Sequence, residues 1–326
     1  MSDSGENVVI QSGDCSLLLL PALGGKIASL RVRDHELLQA PLHPYAPRNS
    51  TMGFAEADAS GWDECLPSVG QCSIPTAAGT SKIPDHGDLW RVPWQILDTT
   101  SDSATLRARC FSLPLQLTRS LILSPISSSP SAGWKLQLLY SLTNLGAFDV
   151  PWSWSAHPLF AVLPGDQVRL PDSARSLHVE GSAGKRLGSH GDAVSWPIAQ
   201  LKGSGPDAFV PLDLSIAQDS STGIGDKLSA GPLEQGWASL DRPSVGLRLT
   251  VRFDPRVTPY LGLWLCYGGW PEEEGPKQVC VALEPATAPV DSLAETGAWS
   301  RSLQPGDTVT WFMDLEISPL PETRSN

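Results

Sequence analysis

Positive charge is scarce in this chain: 23 Lys and Arg stand against 35 Asp and Glu over 326 residues, a formal net charge of −12, and no basic cluster occurs anywhere. Nucleic acid and anionic membrane surfaces both need a basic footprint, so neither is expected as a partner. Cysteine is present without a pattern. Cys15, Cys65, Cys72, Cys110, Cys266 and Cys280 form no C-x-x-C pair and have no histidine at metal-ligand spacing, which argues against zinc and disulfide frameworks and for small buried hydrophobes in a reducing compartment. Long apolar runs are missing too. The run LLLL at 17–20 stops at Pro21, and the N-terminal MSDSGENVVIQSGD lacks a basic region ahead of an apolar stretch, so a soluble cytoplasmic protein is expected. No nucleotide-binding glycine fingerprint follows any strand-like run, and no internal repeat divides the chain.

What is present is strand pattern. ATLRARCFSL, LQLTRSLILS, WKLQLLYSLTNLG, VGLRLTVRF, VCVALEP and TVTWFMDLEI alternate or run apolar and are bounded by Gly, Pro, Ser, Asn or Asp. The 29 glycines and 29 prolines read as turn punctuation within a 41% hydrophobic chain large enough to bury a full core. The expectation is an all-β protein, one large antiparallel sandwich domain over residues 1–326. SPISSSPSAG (124–133) reads as the tip of a long hairpin, and GSAGKRLGSHGD and KGSGPDAF read as surface loops.

Three stretches could carry chemistry. IPDHGDLWR (83–91) puts His86 against a glycine between two aspartates, which a solvated loop would also explain. PWSWSAHPLFAV (151–162) has period-2 alternation that places Ser153, Ser155 and His157 on one face and Trp152, Trp154 and Ala156 on the other. That small polar face suggests a cleft, though a strand-end histidine capping a carbonyl would look the same. In VCVALEPATAPVDSL (279–293), Cys280, Ala282 and Glu284 share a face. A carboxylate in so apolar a strand needs a polar pocket or open water, and Pro285 points to a strand end.

Together with PALGGKIASLRVRDHELL (21–38), GWDECLPSV (61–69) and YLGLWLCYGGWP (260–271), these stretches resemble the aldose 1-epimerase, or galactose mutarotase-like, family in order over about residues 7–317. SAHPLFAV stands where the best-known galactose mutarotases carry NHSYFNL, which marks a divergent branch. The resemblance implies a β-supersandwich of antiparallel sheets with a sugar-binding cleft across one sheet. It also implies interconversion of the α and β anomers of an aldose. By the same resemblance Glu284 is the general base and His157 the general acid, while His86 holds the ring-oxygen side of the sugar.

The residue types fit that chemistry. Ring opening removes a proton from the C1 hydroxyl while another reaches the ring oxygen, so a base and an acid must flank the substrate, and no metal or organic cofactor is called for. Trp62, Trp90 and Trp270 are candidates to stack on sugar C–H faces, with core packing the other reading for each. Asp63 and Glu64 are candidate hydroxyl acceptors or parts of a solvated turn, and Asp226 in GDKLS is the candidate for the family's hydroxyl-binding aspartate. Two other functions remain open. A hexose-phosphate mutarotase would need Arg48, Lys82, Arg91 or Lys227 at the cleft rim, and a non-catalytic sugar-binding or sensing protein would use the same fold.

Overall fold

Alternation in the sequence becomes inside and outside in two large antiparallel sheets. The structure, a computed structural model, describes residues 6–77, 79–127, 133–202 and 209–320. Residues 128–132 of the expected hairpin tip at 124–133 lie outside the described residues, while the strands leading to it pair up to Pro125 opposite Trp134; most of the KGSGPDAF loop, 203–208, also lies outside the described residues.

An 11-stranded sheet has at its centre the neighbouring strands Trp62–Cys65, Ser155–Ala161, Val279–Ala286, Tyr260–Tyr267 and Ile224–Ala230, in that order. An 8-stranded sheet packs against one of its faces and contains the long strands Leu115–Pro125, Trp134–Asn144 and Thr308–Pro319. The first two of these pair over their whole length, from Leu115 opposite Asn144 to Pro125 opposite Trp134. Among the described residues the only helical pieces are short 3-10 turns, and no helix is long and apolar enough to cross a membrane. All six cysteines are free, and four of them are buried.

The inward residues of both sheets meet in one cluster. Leu117, Leu121, Leu138, Leu142, Met313 and Leu315 come from the 8-stranded sheet, and Leu19, Ile27, Ala156, Phe160, Leu263 and Leu283 from the other. Each fully buried leucine of this kind contributes about 1.5–3 kcal/mol relative to exposure. One inward position on Leu115–Pro125 is charged. Arg119 is wholly buried and reaches across the interface to Glu64, whose carboxylate also accepts from Tyr140 Oη and Trp154 Nε1. Glu64 thus lies in the sandwich interior, where its hydrogen bonds and the guanidinium charge offset the cost of burying it.

The opposite face of the 11-stranded sheet carries a small cluster, Leu159, Cys266, Cys280 and Ala282, with Trp264 and Trp270 against it. The segment from Leu42 to Ser60 folds over one end of this face, bringing Phe54, Ala57 and Ala59 onto Trp90. Buried charges pin it there. Lys26 sits 3.0 Å from Asp58 and 2.5 Å from Asp63, and Arg48 pairs with Asp58 and lies 3.5 Å from Asp63. Two cations against two carboxylates leave the group neutral overall, so its burial is tolerable.

Candidate active site

The floor of the cleft is set by strand register. In Val279–Ala286, Val281 and Leu283 belong to the main core, so Cys280, Ala282 and Glu284 face the other way. Ser155–Ala161 pairs with this strand from Ser155 opposite Ala286 to Leu159 opposite Ala282, which sets His157 beside Glu284. His157 Nε2 lies 3.7 Å from Glu284 Oε1. Across the other edge Gly262 pairs with Glu284. A Cβ at Gly262 would stand 2.8 Å from Glu284 Oε2 and 3.4 Å from Lys227 Nζ. With no side chain there, Lys227 reaches over the glycine from Ile224–Ala230 and pairs with Glu284 Oε2.

The turn 84–88 forms a wall. Gly87 runs so close to Leu66 that a Cβ would meet the Leu66 carbonyl oxygen at 2.3 Å, and its φ of 66° suits glycine. His86 also has positive φ, 57°, and is held there by its N–H on Val69 O at 2.6 Å. The Arg91 guanidinium donates to the carbonyls of Asp85 at 2.6 Å and Gly87 at 2.5 Å, clamping the turn from below. Asp88 is buried and accepts from Phe111 N, Ser112 N and Ser112 Oγ, tying the turn to the neighbouring loop. So constrained, His86 stacks on Phe54 with centroids 4.0 Å apart, and its Nδ1 lies 2.7 Å from Asp85 Oδ2. The two imidazoles are perpendicular, 5.1 Å between centroids.

The resulting cleft, of about 260 Å³, is bordered by Phe54, Asp85, His86, His157, Lys227, Trp264, Trp270, Gln278 and Asp291 among others. It lies just below the ~300–1,000 Å³ of ordinary ligand pockets, a size for a small ligand. Glu284 is 1% exposed and sits beneath Lys227. Lys227 also borders a space of about 10 Å³, the scale of one water, lined by Ser155, Glu180, Ser229, Glu284 and Asp291.

The candidate binding residues divide. Trp270 borders the cleft. Trp62 is wholly buried in the main core, where its apolar strand neighbours put it. Trp90 is wholly buried between two guanidinium groups, Arg91 at 4.1 Å and Arg48 at 5.0 Å. Asp63 is spent on Lys26 and Arg48, and Asp226 on Arg186 and Ser182, so neither borders the cleft. Among the cleft residues that the sequence does not single out as sugar contacts are Asp85, Trp264, Gln278 and Asp291. For Trp264 the signal was available, since period 2 sets it on the face of Gly262 and Cys266. Gln278 lies just before its strand, and only the fold brings it to Trp264 Nε1, 3.0 Å away.

Burial dominates the electrostatics. It pushes the Glu284 carboxyl above the usual carboxylate range, with Lys227 opposing and Asp291 adding to the rise. Burial also works against the Lys227 charge, but the Asp291 and Glu284 carboxylates outweigh it and hold that ammonium above the ordinary lysine value. His157 is held well below the ordinary imidazole value by burial first, then by His86, Lys227 and Lys26. Burial raises Asp85 as well, yet the hydrogen bond and charge of His86, together with Arg91, bring it below the usual carboxylate range.

No protein-family model and no curated protein matches the chain in sequence. Solved structures do match in shape. The Slr1438 protein of Synechocystis sp. PCC 6803 superposes with a TM-score of 0.68 at 18% identity, covering 98% of this chain and 97% of its own. A candidate aldose 1-epimerase of Escherichia coli K12 gives 0.67 at 17%, covering 97% and 99%. The GalM/aldose epimerase homologue of C. elegans gives 0.58 at 12%, also covering 97% and 99%. Identity this low speaks for the fold alone, and that fold is the antiparallel β-sandwich of galactose mutarotase-like proteins.

Proposed function

We propose that this protein exchanges the α and β anomers of an unphosphorylated aldose, with Glu284 as general base and an imidazole of the cleft as proton donor. One observation carries the reading: His157, which borders the cleft, has its Nε2 3.7 Å from Oε1 of the buried Glu284, and Oε1 has no hydrogen-bond partner among the described residues. A hemiacetal carries its reacting hydroxyl and its ring oxygen on the same carbon. Base and acid must therefore lie a few ångströms apart, facing one small space. Resemblance gives the donor's part to His157. Trp264 and Trp270 supply apolar faces, and Gln278 and Asp291 supply groups that bond hydroxyls.

The charges favour a substrate without phosphate. Lys227 is the single Lys or Arg among the described residues bordering the cleft, and it is engaged by Glu284 with Asp291 at 4.0 Å. Arg48 is bound to Asp58, and Arg91 to backbone carbonyls. Lys82 lies exposed on the strand Gly79–Ile83, outside the cleft lining. A phosphate would meet Asp85 and Asp291 without a free cation to balance it. The test is anomer exchange, followed by NMR saturation transfer, for a panel of free aldoses and their phosphates. Acceleration with a free aldose and none with its phosphate is expected. Exchange of phosphates alone would overturn the substrate class, and binding without exchange would leave a sugar-sensing protein.

A further inference from the structure

We infer that the proton donor is His86, held as an imidazolium by Asp85, and that His157 works as a neutral hydrogen-bonding group beside Glu284. This rests on the anomer-exchange reading above and reverses the parts that the resemblance assigns to the two histidines.

Two imidazoles 5.1 Å apart share one cleft, and a proton on either disfavours a proton on the other. Their surroundings decide where it sits. His86 Nδ1 faces a carboxylate oxygen at 2.7 Å, and that carboxylate is backed by Arg91 only through its own backbone carbonyl. Asp85 is half in solvent and carries its charge readily, as the depression of its carboxyl agrees. His157 has no such partner. Its Nδ1 is buried and unpaired among the described residues, and its Nε2 is 3.7 Å from the nearest carboxylate oxygen, too far for a direct hydrogen bond. That carboxylate, Glu284, already answers Lys227.

The charged and titratable groups facing His86 are Asp85 on its own turn, Arg91 below it, His157 and Glu284 on the central strands, and Lys227 and Asp291 across the cleft. For His157 the neighbouring charges include Lys227 and Lys26, both repelling a proton, which agrees with its lowered pKa. The fold also invests in His86. A non-glycine residue at φ 57° carries backbone strain, and the stack on Phe54, the Val69 carbonyl and the Arg91 clamp hold it in place.

The step balances with these groups. Glu284 Oε1 takes the proton of the C1 hydroxyl, the C1–O bond of the ring breaks as the C1 carbonyl forms, and the His86 imidazolium gives its Nε2 proton to the departing ring oxygen. Glu284 is then a carboxylic acid and His86 a neutral imidazole. After rotation about C1–C2 the same transfers run backwards and restore both charges. Neutral His157 donates a hydrogen bond to a substrate oxygen throughout and loses no proton.

The experiment is an NMR titration of the histidine ring protons in the full chain, with resonances assigned from His86→Asn and His157→Asn. Asparagine tolerates positive φ, so His86→Asn changes chemistry rather than the turn. His157 should stay neutral over the pH range in which the protein turns over sugar. Asp85→Asn should move the alkaline limb of kcat/KM to lower pH. Turnover should fall by about 10²–10⁴-fold in His86→Asn and less in His157→Asn. Protonation of His157 before His86, or an alkaline limb indifferent to Asp85→Asn, would overturn the inference while wild-type exchange still stood. Failure of the wild type to exchange any sugar would instead sink the functional reading, and the titration would still decide where the proton resides.

Discussion

Replacing Lys227 by methionine keeps a long unbranched side chain over Gly262 and removes the ammonium that Glu284 faces. The carboxylate left behind is 1% exposed, with Oε1 already unpartnered among the described residues. Stripping one partner from a buried ion pair costs about 3–5 kcal/mol. Lys227 is 13% exposed, so water can enter beside the new side chain and the lower half of that range applies. The carboxyl escapes the cost by taking a proton, at about 1.36 kcal/mol per pH unit, so its midpoint should rise by about 2–3 units. The sign follows from Glu284 already lying above its unfolded value. Between the unfolded and folded midpoints the native state binds the extra proton, so stability falls as pH rises through that window. In Lys227→Met the window extends further toward alkaline pH. The variant should match the wild type in urea unfolding near pH 4, fall progressively behind as pH rises to 8, and show its acid limb of kcat/KM moved alkaline by the same 2–3 units. Equal destabilisation at both pH values, with an unmoved acid limb, would refute the pairing.

Other consequences are as specific. Gly262→Ala should fold but push Glu284 and Lys227 apart, lowering turnover on the order of 10²-fold for a displacement near 1 Å, measured by anomer exchange. Arg119→Met strands the buried Glu64 carboxylate inside the sandwich and should cost about 3–5 kcal/mol in urea unfolding while the cleft groups stay in place. Burial and then Asp291 push Glu180 up to about 7, with His190 and Lys227 opposing. A raised carboxyl removes stability as pH climbs from its unfolded value through the folded one. Glu180→Gln should therefore match the wild type near pH 4 and exceed it at pH 8, and a variant weaker at pH 8 would contradict this.

The cleft floor was legible because period 2 is a strong constraint. In Ser155–Ala161, Ala156 and Phe160 point into the core, which turns His157 and Leu159 to the other face, and Val281 and Leu283 do the same for Glu284. Partners arriving from elsewhere in the chain were not legible. Asp63 shares the cleft face with His157, yet Lys26 and Arg48 reach it from other segments, and nothing in GWDECLPSV announces them. Trp90 fails as a sugar platform for the same reason, since the covering segment and two arginines enclose it. At GDKLS the choice between faces was one residue off. Asp226 looks like the hydroxyl binder by type, but Lys227 turns to the cleft and Asp226 goes to Arg186. Asp85, beside the most conspicuous histidine, was readable only once the turn's geometry put its carboxylate on Nδ1.

The most direct test of the account is the rate of anomer exchange for a free aldose, measured side by side in wild-type protein and Glu284→Gln. Glutamine keeps the shape on Gly262's side of the floor and removes the base. The wild type should exceed the uncatalysed rate, and the variant should fall below wild type by about 10²–10⁴-fold with sugar binding largely kept. A Glu284→Gln protein that exchanges anomers at the wild-type rate, or a wild type no faster than buffer, would contradict it.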